Sequence, residues 1–431
     1  MAEPQGGWPD LGPRPARSVS PGWSDVALTG IGVVLPNCED RGTLWDHLKH
    51  GRSQLRFDHH GGERLPVGTA RQFDPGQHFA DIPQRYYERY PRQLQLYLAS
   101  VLLAVKDAGV DLGSLGPERV GIFEGSARPF FQYWYDQIRS EHTRERRYTK
   151  QHLMVGLPGQ CGGIAASLLK LRGGVYSLTG ACTSGAIATG LGCRELRDGA
   201  LDLVLASGHD VPLVDPIFEM YGDAGLLSAE RLDARRAIRP YGGGSTNAFG
   251  EGAITFVLER LDHARARGVR PLAPIAGFKH ANLGDHPTGV DASGLRSTEL
   301  VGELLATTSH SVDDIDFVVG HGNAVTMSDQ SEVRFMRRLF GRRASRVPLI
   351  STKPIYGHTM GASTSLNVAA AALMMHHGYL IPTINVDPQR PADVFTQPNV
   401  GAACAARLGL AMGYGLGGHC TALLLRREDI C

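Results

Sequence analysis

With 44 Lys and Arg against 43 Asp and Glu, the 431-residue chain has a formal charge of only +1. So small an imbalance makes no case for nucleic acid or an anionic membrane as the main partner. No apolar run approaches the ~20 residues that a membrane span requires. The first stretch, MAEPQGGWPDLGPRPARSVSPGWS, lacks an apolar h-region and is rich in Pro, Gly and Ser. Residues 1–24 are therefore expected to be a flexible tail rather than a secretory signal. No CxxC pair occurs among the seven cysteines. An odd, scattered set argues against a disulfide framework or a zinc site and for reduced thiols in a cytoplasm.

Glycine is abundant, at 54 residues, which suggests tight turns and close backbone approaches. Short β-branched or apolar runs recur: VALTGIGVV, VGIFEGS, VYSLTGA, LVLASG and AITFVLER, then PIAGFKHA, DFVVGHGN, PLISTK, LGLAMGYG and CTALLLRR. Helical patterns over Leu94–Ala108, Gly185–Asp198, Ser331–Phe340 and Ala362–His376 lie between them. Continuous apolar strands alternating with helices predict an α/β protein whose sheets are buried on both faces. TGACTSGAIATGLGCRELRDG and GHTMGASTSLNVAAAALMMHHG are both small-residue helices behind a polar group. They predict two equivalent central helices and an internal duplication, with halves at residues 25–262 and 263–431.

Cys182 falls where a strand-like lead-in meets the first small-residue helix. An unpaired cysteine is ordinarily a small buried hydrophobe; at a helix N-terminus its pKa falls and it becomes a nucleophile. VVGHGNAVT presents His321, ISTKPIYGHTMGAS presents Lys353 and His358, and GYGLGGHC offers a turn with free backbone N–H groups. A thiol, two imidazoles and such a turn are the parts of acyl transfer through a thioester. Taken singly, each histidine reads more readily as a structural group, and Lys353, before Pro354, reads also as a surface lysine. GLGG lacks the strand and later acidic residue of a dinucleotide fingerprint.

Together these segments resemble the β-ketoacyl-carrier-protein synthases, the Cys-His-His ketosynthases of fatty-acid and polyketide assembly. The likeness runs from Val26 to Arg427. VALTGIGVVLP and LWDHLKHGRSQL are similar to the opening strand and helix, and GACTSG to the family's T-A-C-S-S-G turn. RPYGGGSTNAFGEGAITFVLERLDHARARG, GHGNAVTMSDQSEV, STKPIYGHTMGAS and GYGLGGHCTALLL match four further motifs in order. The resemblance implies a thiolase fold, five layers αβαβα from two duplicated halves. It implies that Cys182 accepts an acyl chain from phosphopantetheine. His321 and His358 would bind a malonyl-type thioester carbonyl, Lys353 would shape their electrostatics, and the backbone N–H groups of Cys182 and Leu416 would form the oxyanion hole. It also implies an acyl carrier protein as partner, a homodimer or a pairing with a homologous subunit, and no enzyme-bound cofactor.

Departures cluster near the substrate. Asn323 and Val325 replace the two threonines that bond the pantetheine arm, and Leu416 replaces a gating phenylalanine. His419 and Cys420 replace the Thr-Asn pair after Gly417 and Gly418, and Asn367 replaces a glutamate. Val325 cannot bond an amide; Asn323 can. SARPFFQYWYDQI (Ser126–Ile138) reads as core, subunit interface or a specialised pocket. The basic runs Arg144–Lys150 and Arg334–Arg346 read as solvated faces or as a landing site for an acidic carrier.

The leading expectation is a stand-alone ketosynthase performing decarboxylative Claisen condensation, in polyketide or other specialised biosynthesis. The alternative is intramolecular aldol or lactone closure of a carrier-bound chain without extender. A non-catalytic chain-length subunit would lack Cys182. A thiolase would place its second cysteine before the glycine pair rather than at Cys420.

Overall fold

The computed structural model describes residues 26–142, 155–242, 244, 246–284, 290–386, 393–395 and 399–428. The expected tail at 1–24 and the basic run Arg144–Lys150 lie outside them. Fourteen strands form among the described residues: β1 (Val26–Val34), β2 (Arg56–His60), β3 (Glu63–Val67), β4 (Val120–Gly125), β5 (Val175–Leu178), β6 (Leu203–Asp210), β7 (Gly252–Arg260), β8 (Ala273–Asn282), β9 (Phe317–Val319), β10 (Leu349–Ile350), β11 (Tyr379–Leu380), β12 (Ala402–Ala403), β13 (Leu408–Gly415) and β14 (His419–Arg426).

Ten strands make one hydrogen-bonded ladder, β10-β9-β13-β14-β8-β1-β7-β6-β4-β5. Outward from its middle, each half runs through its own first, fifth, fourth, second and third strands. Directions repeat as well: antiparallel, antiparallel, parallel, parallel on both sides. The halves join where Val26–Leu28 pairs with Ala273–Ile275. The duplication read from two similar helices is therefore present in the strand order.

Helix Arg92–Ala108 packs on β1 and β7 from outside. Gly32 permits this, since a Cβ there would lie 2.0 Å from the Ser100 carbonyl oxygen. Helices Ser184–Arg197 and Ser363–His377 fill the middle layer and touch both sheet halves. Helices Leu295–Leu305 and Thr326–Phe340 close the far side. The result is the expected five-layer order. All of Ser363–Met375 is buried, as an all-round apolar helix demands. Small residues set the spacing of the central pair: a Cβ on Gly185 would fall 2.1 Å from Ser365 Oγ.

Two expectations need correction. Thr326–Phe340 begins five residues before the predicted Ser331, because its first turn is polar and carries no apolar period. β5 is not covered on both faces: Val175 is 38% and Tyr176 46% exposed. It is the ladder's end strand and pairs only with β4.

Candidate active site

The Cys182 turn is held by its own hydroxyls. Thr183 Oγ1 donates to the Gly180 carbonyl at 2.6 Å and Ser184 Oγ to the Ala181 carbonyl at 2.6 Å. The Gly180 N–H donates to Ser184 Oγ at 2.9 Å. These bonds hold Ala181 at φ 51°, a left-handed conformation that a non-glycine residue seldom adopts. Thr364 Oγ1, from the other central helix, donates to the Cys182 carbonyl at 3.0 Å. The thiol is thereby tied to both halves. The sequence reading gave Thr183, Ser184 and Thr364 no role, although a Thr-Ser pair behind a nucleophile is a capping signal.

His358 arrives from the second half. Its N–H donates to the Ala248 carbonyl at 2.8 Å, and its carbonyl accepts from the Gly250 N–H at 3.1 Å. Gly357, at φ 81°, is required, because a Cβ would meet the Phe249 carbonyl group at 2.8 Å. The NAFGEG stretch is thus the rail on which this histidine sits. His358 Nε2 lies 3.1 Å from Cys182 Sγ.

His321 follows β9. The Glu332 carboxylate accepts from the His321 N–H at 2.6 Å and from the Gly322 N–H at 2.7 Å. The Tyr414 N–H reaches His321 Nδ1 at 3.5 Å, which leaves Nε2 to carry the ring proton. The two imidazole rings stand perpendicular, with centroids 5.4 Å apart.

Lys353 is not a surface lysine: it is fully buried, and its Nζ has no hydrogen-bond partner. Burial lowers its amine to about 8, against the pull of Cys182, Glu332 and Asp329. Asn367 cannot serve as its counter-ion. Its amide donates to the Gly320 and Met412 carbonyls at 2.8 and 3.0 Å and accepts from Thr352 Oγ1 at 2.8 Å.

The ionisation expected of Cys182 is corrected. Its helix starts at Ser184, two residues on, with Thr183 as N-cap, and the thiol is buried. Burial pushes it up to about 12, with Lys353 pulling the other way. Burial also holds His321 and His358 well below their usual range, and Lys353 adds to this. The resting pair is therefore a neutral thiol and a neutral imidazole. Desolvation outweighs the helix terminus because the dipole's effect is confined to the first turn.

The glycine turn lies on the nucleophile turn: a Cβ on Gly415 would sit 2.7 Å from the Gly180 carbonyl oxygen. Gly417 and Gly418 have φ of 84° and 78°. Leu416 is 51% exposed. His419 turns aside to His280, with ring nitrogens 3.3 Å apart. Asn323 and Val325 share the His321 loop, where Asn323 Oδ1 accepts from the Val325 N–H at 3.1 Å. That intraloop bond uses part of the amide's capacity.

The aromatic window divides. Phe131 and Tyr135 pack against the cluster containing Cys182, whereas Phe130, Tyr133 and Trp134 face the outer core. Asp329 and Glu332, one helical turn apart and both buried, complete the charged surroundings of Lys353. Their i, i+3 spacing in TMSDQSEV was the available signal.

Residues 24–264 match the family signature "Beta-ketoacyl synthase, N-terminal domain", and residues 272–387 match "Beta-ketoacyl synthase, C-terminal domain". The chain is 30% identical to the tetracenomycin polyketide synthase ketoacyl synthase alpha subunit of Streptomyces glaucescens, over 93% of this chain and 97% of that one. A β-ketoacyl synthase from Burkholderia phymatum STM815 superposes with a TM-score of 0.81 at 25% identity, covering 94% and 100% of the two chains. A type II polyketide ketosynthase solved with its acyl-carrier protein and bound to hexaketide gives 0.85 at 22% identity, covering 94% and 99%. These likenesses establish the thiolase fold.

Proposed function

The chain belongs to the β-ketoacyl synthase family, and on that premise we propose that it condenses carrier-bound chains through Cys182 by decarboxylative Claisen chemistry. It is an acyltransferase of the ketosynthase type, and its relatives include ketosynthases of polyketide synthases. The observation that carries the finer reading is the 3.1 Å approach of Cys182 Sγ to His358 Nε2, with His321 beside them.

As an acyl thioester arrives on phosphopantetheine, the thiol proton passes to His358 Nε2 as sulfur attacks the carbonyl carbon. Backbone N–H groups of Cys182 and Leu416 receive the oxyanion; the carrier thiolate leaves and is protonated through solvent as His358 gives up its Nδ1 proton, so that His358 is again neutral with its proton on Nε2. A malonyl-type thioester then places its carbonyl oxygen against N–H groups of His321 and His358. Carbon dioxide leaves, the enolate carbon attacks the acyl-enzyme, and the Cys182 sulfur departs. Neutral donors suffice, because loss of carbon dioxide generates the carbanion without a strong base. No bound cofactor has a part in this scheme.

Two surfaces fit partners. Arg334, Arg337 and Arg338 line a cleft of about 590 Å³ with Ala292 and Ser293, a place for an acidic carrier whose docking would weaken with salt. The open edge of β5, with Val175 and Tyr176 exposed, offers a second copy or a homologous subunit a strand to pair with.

Intact-mass measurement with acyl and malonyl carriers tests the reading. We expect an acyl adduct on the native chain and none on Cys182→Ala, followed by carbon dioxide release and a chain two carbons longer. A cyclised product formed without extender would instead support intramolecular closure.

A further inference from the structure

The apolar cluster around Cys182 borders a cation that the proposed mechanism does not use. Phe218, Phe249 and Met360 cluster with the nucleophile, and Phe131, Tyr135 and Tyr221 pack against them. Arg128 enters this group. Its guanidinium carbon is 5.9 Å from the Phe131 ring centroid, and the guanidinium lies beside the Tyr221 hydroxyl. Tyr221 meets Phe249 edge-on at 4.8 Å, and Phe249 lies 6.5 Å from the His358 ring. Burial dominates the Cys182 thiol; Lys353 favours its anion, Asp210 opposes it, and Arg128 is near enough to favour it as well.

The position is fixed by the catalytic framework. Asp210 accepts from the Ala127 N–H at 2.9 Å, the Arg128 N–H at 3.2 Å and Ser126 Oγ at 2.7 Å. The same carboxylate accepts from the Gly361 N–H at 2.6 Å, three residues beyond His358. Asp210 thus directs its acceptors to backbone and hydroxyl donors rather than to the guanidinium. Among the described residues Arg128 has no carboxylate partner, whereas Arg92, Arg119 and Arg267 pair with Glu251, Asp202 and Glu259. The half-buried guanidinium against these rings is left without a counter-charge, and a carboxylate matches its planar donor fork.

We propose that Arg128 is a specificity residue that reads a carboxylate on the acyl chain held at Cys182, making that chain dicarboxylic rather than plain alkyl. The proposal rests on the reading of Cys182 as the acyl acceptor.

The test compares Cys182 loading from glutaryl- and hexanoyl-pantetheine, chains of similar length that differ in the terminal charge. The native protein should load the glutaryl chain about tenfold faster, as one charge-assisted contact warrants. Arg128→Gln should lower the glutaryl-to-hexanoyl ratio about tenfold, and Arg128→Lys should keep most of it. A native preference for hexanoyl, or a ratio unmoved by Arg128→Gln at an unchanged melting temperature, overturns the proposal. The native ratio decides even if the variant does not fold. If neither thioester gives an adduct, the acyl-acceptor reading fails. The rate ratio of iodoacetate to iodoacetamide at Cys182 then judges Arg128 alone, and equal ratios in native protein and Arg128→Gln reject it.

Discussion

Cys182 Sγ and His358 Nε2 stand 3.1 Å apart across 176 residues of sequence, with His358, from the second half, pinned to the first half's backbone at Ala248 and Gly250. Both groups are buried and neutral at rest, the thiol pushed up to about 12 and the imidazole held down. Nucleophilicity must therefore come from proton transfer during attack and not from a standing thiolate. Alkylation of Cys182 by iodoacetamide should rise about tenfold per pH unit through neutrality, without a plateau, because only the thiolate reacts. A plateau below about pH 7, followed by mass spectrometry of the labelled peptide, would show an ion pair instead.

His321 and His358 are predicted to divide the work. His358→Ala should slow both loading and decarboxylation, since it touches sulfur. His321→Ala should spare loading and lower carbon dioxide release at least about 100-fold, the usual scale for one positioned donor or proton carrier. Parallel measurement of acyl adduct and released carbon dioxide checks the split.

Lys353 trades stability for chemistry. An amine lowered to about 8 penalises the folded state fully below that pH, and the penalty fades as pH rises toward the unfolded lysine's ordinary value. Lys353→Met should raise stability near neutral pH by about 1–3 kcal/mol, the gain seen when a poorly paired buried charge is replaced by an apolar side chain. Loading should slow, because the cation that favours the Cys182 anion is gone. Urea midpoints and adduct rates together test both directions.

Asp329 carries the opposite signature. Burial raises its carboxyl to about 8, so the folded state keeps a proton that the unfolded chain loses near the ordinary carboxylate range. Stability is then lost as pH rises between those values. In Asp329→Asn this loss should disappear: its urea midpoint should fall less than that of the native protein between about pH 5 and about pH 7.5.

Gly185→Ala tests the close contact of the central helices. The added Cβ would lie 2.1 Å from Ser365 Oγ and 3.0 Å from the Gly361 carbonyl oxygen. Overpacking of this kind costs about 1–3 kcal/mol. Since Gly185 follows the Cys182 turn and Gly361 follows His358, loading should fall together with melting temperature. An unchanged melting point would mean that the helices are further apart than described.

The one-dimensional pattern was sufficient for the duplicated architecture and for the small-residue helices, and it singled out Cys182, His321, His358 and Lys353, which the fold brings together. Apolar runs and motif order are properties of neighbouring residues, and packing follows them closely here. Protonation, pairing and orientation were not readable in that way. They depend on what surrounds a group in space: burial overrides the helix terminus at Cys182, Asn367 satisfies carbonyls instead of pairing with Lys353, and Leu416 turns toward solvent. The aromatic window divided between two clusters only once its helix lay against both, and Arg128 gained meaning only beside Tyr221. Sequence determined which groups this protein carries, and the fold decided which of them meet in a site shielded from water, where charge and hydrogen bonding are no longer set by bulk solvent.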